Sequence, residues 1–303
     1  MRIGLIGTGN WARTVHGPSV AAHPNADLVG VWGRDRARAA EVAGELGSVA
    51  YADLEGLLDE VDAVTFAVPP DVQPEIAVRA ARLGRHLLLE KPIALTAAAA
   101  VGLERAVADA HVASIVFFTR RFLPDVQAWL ERVAEQGGWY GGRAEADFNL
   151  LIDSNQSVTS PWRREHGALW DLGPHSLAQL LPVLGQVTAV TAVRGRGDQV
   201  HLIMRHTENR SSTASFSYTS PTVSGNSLYV DGTAGRLAAP MGNLSNAEFL
   251  AAHRAALDAL IDQSQRHDAS HPCDVHFGAR VVEVLAAARQ SLASGCQVEL
   301  VPP

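Results

Sequence analysis

At 303 residues the chain exceeds a typical single domain, and 47% apolar against 19% charged residues describes a folded protein with room for two cores. A net charge of −7 offers no basic field for nucleic acid, and apolar runs such as Ile93–Leu103 fall short of the roughly 20 residues a membrane helix needs. Two cysteines, Cys273 and Cys296, and no apolar leader stretch at the N-terminus set the expectation of a cytoplasmic protein.

Taken in order, the first hundred residues alternate strands and helices. The apolar run Arg2–Gly7 reads as a buried parallel strand and leads into Gly7-Thr-Gly-Asn-Trp-Ala12, a G-x-G-x-x-A turn opening a helix to about His23. Asp27–Trp32 is the next strand, followed by a helix to about Leu46. Asp62–Val68 and His86–Leu89 are further strands around a helix at Pro74–Leu83. Such alternation predicts a doubly wound parallel sheet of the Rossmann kind. A glycine turn placed after the first strand predicts a dinucleotide site, because the backbone of Gly7, Gly9, Asn10, Trp11 and Ala12 can approach a pyrophosphate at a helix start. The place where an NAD-preferring site carries an acid holds Gly33, with Arg34, Arg36 and Arg38 behind it. Cations there oppose the helix dipole unless an anion sits among them. NADP(H) is therefore favoured, with NAD(H) as the alternative if these arginines only pair with Asp35 and Glu41.

A helix at Thr96–Ala110 and a strand at Ala113–Phe118 follow, and the pattern changes after a helix ending near Gln136. The predicted domains are 1–120, dinucleotide-binding, and 121–303, for substrate and oligomerisation. Strands at Arg143–Leu151, Ala189–Val193, Val200–Arg205, Thr213–Tyr218 and Ser227–Val230 alternate apolar and polar, so the second domain is α/β with an open-faced, mostly antiparallel sheet. Helices are expected near Pro174–Leu184, Glu248–Arg266 and His276–Ser294. Polar clustering from Ser211 to Ser220 marks the open face.

The 25 basic residues comprise 24 arginines and one lysine, Lys91, at the end of the strand His86–Leu89. A position that keeps lysine in an arginine-rich chain points to a compact donor or a tunable amine. Further on, Gly167-Ala-Leu-Trp-Asp-Leu-Gly-Pro-His175 sets Asp171 and His175 one helical turn apart, with Pro174 read as the first turn of a helix. There the helix dipole lowers the histidine's pKa while the aspartate raises it, as a proton shuttle requires. Moving hydride at a C–O carbon takes a cation to polarise the oxygen and a group to carry its proton. Lys91 and His175 supply the two.

The stretches Gly4–Gly9, Val68-Pro69, Leu83–Pro92, Arg121–Pro124, Trp162-Arg163, Gly167–His175 and Tyr229–Gly235 together resemble the Gfo/Idh/MocA family of NAD(P)-dependent oxidoreductases. The resemblance implies a Rossmann domain followed by an α/β domain whose open sheet forms a homodimer or homotetramer. It implies Lys91, Asp171 and His175 as the catalytic group, Glu90 and Lys91 at the nicotinamide end, and Val68 and Pro69 at the cofactor. Arg121, Trp162, Arg163 and His175 are then the substrate-binding residues, and Pro92 is expected in cis. Gln73 departs from a frequent histidine, and Ala178 replaces an aspartate frequent in polyol-oxidising relatives, which argues against a cyclitol. The expected function is hydride transfer between nicotinamide and a carbonyl or alcohol carbon of a sugar-like or other small polar substrate. The alternatives are a glycosidase that oxidises its substrate transiently and a non-catalytic nucleotide sensor. The run His267–His276 holds several ligand types, but its spacing matches no compact zinc motif, so no metal is expected.

Overall fold

Short apolar runs buried on both faces build the parallel sheet that leads the chain. The protein is described by a computed structural model covering residues 1–149, 160–220, 225–266 and 270–300. Strands β1 (Arg2–Ile6), β2 (Asp27–Trp32), β3 (Val49–Ala50), β4 (Ala63–Phe66), β5 (His86–Leu89) and β6 (Ser114–Val116) form a six-stranded sheet of order β3-β2-β1-β4-β5-β6, parallel throughout. The chain winds outward from β1 and then restarts on its other side at β4. Ligands of such sheets bind at this reversal, outside the C-terminal ends of the strands.

A π turn at Ala12–His16 runs into α1 (Gly17–Ala21), followed by α2 (Arg36–Glu45), α3 (Leu54–Asp59), α4 (Gln73–Arg82) and α5 (Ala97–Ala110). Asp35, Asp53 and Thr96 cap α2, α3 and α5 by accepting an amide N–H three residues on.

The partition is not a single cut at residue 120. One compact unit comprises Met1–Phe122 and Leu244–Ala279, the other Leu123–Asn243 and Arg280–Pro303. Helix α8 (Asn246–Arg266), which the sequence reading placed in the second domain, thus belongs with the parallel sheet. It buries Ala252, His253, Ala256, Leu257 and Leu260.

In the second unit β7 (Trp139–Asp147), β8 (Val187–Arg194), β9 (Val200–His206), β10 (Ser211–Ser217), β11 (Gly225–Gly232), β12 (Gly235–Ala238) and β13 (Val298–Glu299) form a sheet of order β12-β11-β7-β10-β9-β8-β13. Only β7 and β10 pair in parallel. Alternation sends Ala144, Leu202, Met204, Ala214, Phe216, Leu228 and Val230 into the core, and leaves Arg143, His201, Ile203 and Thr213 outside. The expected strand Arg143–Leu151 ends at Asp147, and its last two residues lie outside the described ones.

Three further helices are α6 (Pro124–Gln136), α7 (Pro161–Leu184) and α9 (Val275–Ser294). Here one expectation fails. Helix α7 starts at Pro161, thirteen residues before Pro174, which stands inside it. The real interruption is Gly167, whose φ of 69° and ψ of −167° only glycine adopts readily. The helix restarts at Ala168, so Asp171 lies in the restarted first turn and His175 one turn deeper. The dipole argument for His175 weakens accordingly.

Candidate dinucleotide and catalytic site

The glycine turn has the shape its sequence requires. Gly7 has a φ of 130°, and a Cβ there would stand 2.3 Å from the Ala67 carbonyl oxygen, so β1 and β4 approach too closely for any side chain. At Gly9 an added Cβ would meet nothing within 4 Å. This cradle, with Thr8, Asn10 and Trp11 around it and the small Ala12 buried behind it, fits a pyrophosphate laid against bare backbone. Val68 and Pro69 leave the end of β4 half-buried, and the Pro69 carbonyl accepts the amides of Val72 and Gln73 to start α4.

At the end of β2, Gly33 is buried and Arg34, Arg36 and Arg38 are exposed. Asp35 spends its carboxylate on the Arg38 amide as helix cap, with Arg38 Nε 3.4 Å away. Glu41 instead pairs with Arg13 at 2.7 Å, and that hydrogen bond holds its carboxyl below the usual range.

Glu90 and Lys91 follow β5 directly. Gln73, wholly buried, grips the Glu90 backbone from both sides. Its Oε1 accepts the Glu90 amide at 2.8 Å and its Nε2 donates to the Glu90 carbonyl at 2.8 Å. The same Nε2 reaches the Ile93 carbonyl at 3.3 Å. Glutamine thus serves at the position where the resemblance suggested histidine. The Glu90 carboxylate accepts Trp11 Nε1–H at 2.7 Å, contacts His16 Nε2 at 3.0 Å and accepts the Lys91 amide at 3.0 Å. The Lys91–Pro92 peptide is cis. Trp11 therefore joins the glycine turn to the lysine loop across 79 residues of sequence.

In the second unit Asp171 Oδ2 accepts Arg163 Nε–H at 2.8 Å and also the Tyr218 hydroxyl. Burial foremost, and then the Asp171 charge, push the Tyr218 phenol far above its ordinary value, so it keeps its proton and donates. The Tyr218 amide is fixed in turn by the Asp198 carboxylate at 2.8 Å. Arg163 also lies over the Trp162 ring at 4.7 Å and bonds Ser160 Oγ, so its guanidinium serves Asp171 first. The His175 carbonyl accepts Gln179 Nε2–H at 3.1 Å, and the residue is half-buried. Arg121 belongs to the first unit, 5.7 Å from the Phe277 ring centroid.

His16, Thr65, His253 and Tyr218 escaped the sequence reading, and Gln73 entered it only as a departure from a frequent histidine. Thr65 carried a usable signal, being the one polar residue of the strand Ala63-Val-Thr-Phe66, and a buried hydroxyl demands a partner. In the His267–His276 run, His267 lies outside the described residues. His271 Nδ1 accepts the Cys273 amide at 3.0 Å, His276 pairs with Glu104 at 2.6 Å, and burial pushes the Cys273 thiol up to about 11. Among the described residues no three His, Cys, Asp or Glu side chains stand close enough to hold a metal ion.

Two family models match the chain. One, described as an oxidoreductase family with an NAD-binding Rossmann fold, covers residues 1–118, and the other, the GFO/IDH/MocA C-terminal domain, covers 135–238. An uncharacterised oxidoreductase of Synechocystis sp. is 32% identical over 202 residues, which make up 63% of this chain and 53% of that protein. Inositol 2-dehydrogenase of Rhizobium meliloti is 29% identical, over 64% of this chain and 59% of its own. The chain thus aligns with little more than half the length of these curated relatives. The crystal structure of GenD2 from gentamicin A biosynthesis, in complex with NAD, superposes with a TM-score of 0.86 at 22% identity, covering 100% of this chain and 97% of that one.

Proposed function

The chain belongs to the GFO/IDH/MocA family of oxidoreductases, and from that premise we propose that it is an NADP(H)-preferring dehydrogenase or reductase acting on a carbonyl or alcohol carbon of a sugar-like substrate. The observation that carries this reading is the hydrogen bond from Trp11 to Glu90, which ties an open glycine cradle to the only lysine of the chain at neighbouring strand ends. Gly7, Gly9, Asn10, Trp11 and Ala12 hold the pyrophosphate, and Val68, Pro69, Glu90 and Lys91 border the nicotinamide end. Bound there, the nicotinamide supplies the hydride acceptor or donor. In the oxidative direction His175 accepts the substrate's hydroxyl proton and the Lys91 ammonium stabilises the developing alkoxide. Asp171, held by Tyr218 and Arg163, orients His175. Trp162 and Arg121 contribute to substrate binding.

The preference for NADP(H) is supported by Gly33 where an acid would bind a 2′-hydroxyl, and by the exposed Arg34 and Arg38 beside it. A sugar-like substrate is supported by relatives named inositol 2-dehydrogenase, UDP-N-acetylglucosamine 3-dehydrogenase and levoglucosan dehydrogenase. Ala178 still argues against a cyclitol. Self-association through the open face of the second sheet is part of the same proposal, supported by the exposed Val193 and Ile203 on its neighbouring strands β8 and β9.

The test is Lys91→Arg, assayed with a panel of sugars, sugar acids and small carbonyls. We expect kcat to fall at least tenfold with NADPH affinity within a few-fold, because arginine keeps the charge but not the compact donor. Near-normal turnover would sink the assignment, and release of a leaving group without net cofactor consumption would point to a glycosidase.

A further inference from the structure

Glu90 gathers bonds from separate segments of the first unit. Its Oε1 lies 2.7 Å from Trp11 Nε1 and 3.0 Å from His16 Nε2, and its Oε2 is 3.0 Å from the Lys91 amide. A carboxylate only accepts hydrogen bonds, which assigns the His16 proton to Nε2 and leaves Nδ1 to accept the Thr65 hydroxyl at 2.8 Å. The Thr65 oxygen then faces His253 Nε2 at 3.4 Å. His16 and His253 are fully buried, with ring centroids 4.2 Å apart, and Phe117 meets the His253 ring edge-on. Burial, and then the neighbouring His16, hold His253 well below the usual histidine range.

Polar groups this deep are costly unless each is satisfied, and apolar side chains would close the sheet against α8 as well. A function other than packing accounts for the chain His253–Thr65–His16–Glu90. Its end is the backbone of Lys91, and Trp11, which completes the grip, stands in the nucleotide cradle. Gln73 fixes the Glu90 main chain, while Trp11 and His16 are the side chains that hold its carboxylate, beside the neighbouring Lys91 amide.

We propose that Trp11 and His16 are positioning residues for Lys91, holding the Glu90 carboxylate so that the Glu90–Lys91 turn presents the amine in one direction and registers the state of the glycine cradle. The inference rests on Lys91 being the working lysine, yet it is tested on the free protein, without turnover. Lys91 and the N-terminal amine are the two amine targets of the chain, so trinitrobenzenesulfonate modification of Lys91 can be followed by peptide mass spectrometry.

In Trp11→Phe, which keeps a smaller aromatic ring beside Phe249 and removes the indole N–H donor, modification of Lys91 should slow at least threefold. A Glu90 carboxylate released from one donor is free to turn toward the adjacent Lys91 ammonium and pair with it, and a paired amine meets the reagent less often. His16→Leu should slow it as much, while His16→Gln, whose amide restores a donor toward Glu90, should return it to within 1.5-fold of the parent. An unchanged or faster rate in Trp11→Phe overturns the proposal even if the buried His16→Leu variant fails to fold. Equal rates in folded His16→Leu and His16→Gln overturn it too. The dehydrogenase reading stands or falls separately, on the turnover of Lys91→Arg.

Discussion

Arg34, Arg36 and Arg38 stand exposed around the start of α2, where each positive charge opposes the helix dipole by about 0.3–1 kcal/mol. Asp35 offsets part of this as cap, and Glu41 is occupied by Arg13, so an anion beside Arg34 and Arg38 has two cations to meet. Replacing both by alanine should weaken NADPH binding at least tenfold and leave NADH within twofold, measured by fluorescence titration at fixed salt. Equal losses for both cofactors would contradict a 2′-phosphate site. At this scale the sequence disclosed charges and glycines well and hydrogen-bond partners poorly. Gly7, Lys91 and Asp171 announce themselves by type and spacing. The partners Trp11–Glu90, His16–Thr65 and Asp171–Tyr218 lie 47 to 79 residues apart, and no local pattern joins them.

At the scale of elements, the parallel strands were legible because burial on both faces makes them continuous apolar runs. Strands β3 and β13, of two residues each, and the short helix α3 were not, since so few residues carry no period. Helix α7 was misplaced because Pro174 resembled a start signal. The interior proline forfeits its bond to the Trp170 carbonyl and crowds it, yet the helix runs on through Pro174, whereas Gly167 redirects the backbone.

The loop between α8 and α9 makes a prediction of its own. His271 stacks on Phe122, and burial, reinforced by the Arg121 charge, lowers it to about 4. Unfolded, it titrates near 6.5, so between these values the unfolded chain takes up a proton that the folded chain refuses. The stability this confers is whole above pH 6.5 and is lost as pH falls through that window. His271→Phe should reduce the fall in Tm between pH 7 and pH 4.5 by about 2–4 °C, the shift that roughly 1 kcal/mol makes in a unit of about 150–250 residues such as the one holding His271. That figure is set below the full pKa difference because His271 partly faces solvent. Parallel Tm profiles for the two proteins would contradict it.

For the whole molecule, the order β3-β2-β1-β4-β5-β6 brings the glycine cradle and the Glu90–Lys91 turn to the same end of one sheet, where the hydrogen bond from Trp11 to Glu90 joins them. The return of Leu244–Ala279 to the first unit was invisible in the sequence, because an amphipathic helix shows that it has a buried face but not what covers it. Yet that return supplies His253, and with it the far end of the polar chain behind Glu90. Among the described residues no helix is long and apolar enough to cross a membrane.

If Lys91 works at a dinucleotide bound on this sheet, saturating NADPH should slow the reaction of Lys91 with an amine reagent in the unmutated protein. Protection of Lys91 of at least fivefold is expected, while the N-terminal amine reacts at an unchanged rate. Equal modification of Lys91 with and without NADPH, under conditions where binding is shown independently, would place the lysine away from the cofactor and rule out its role there.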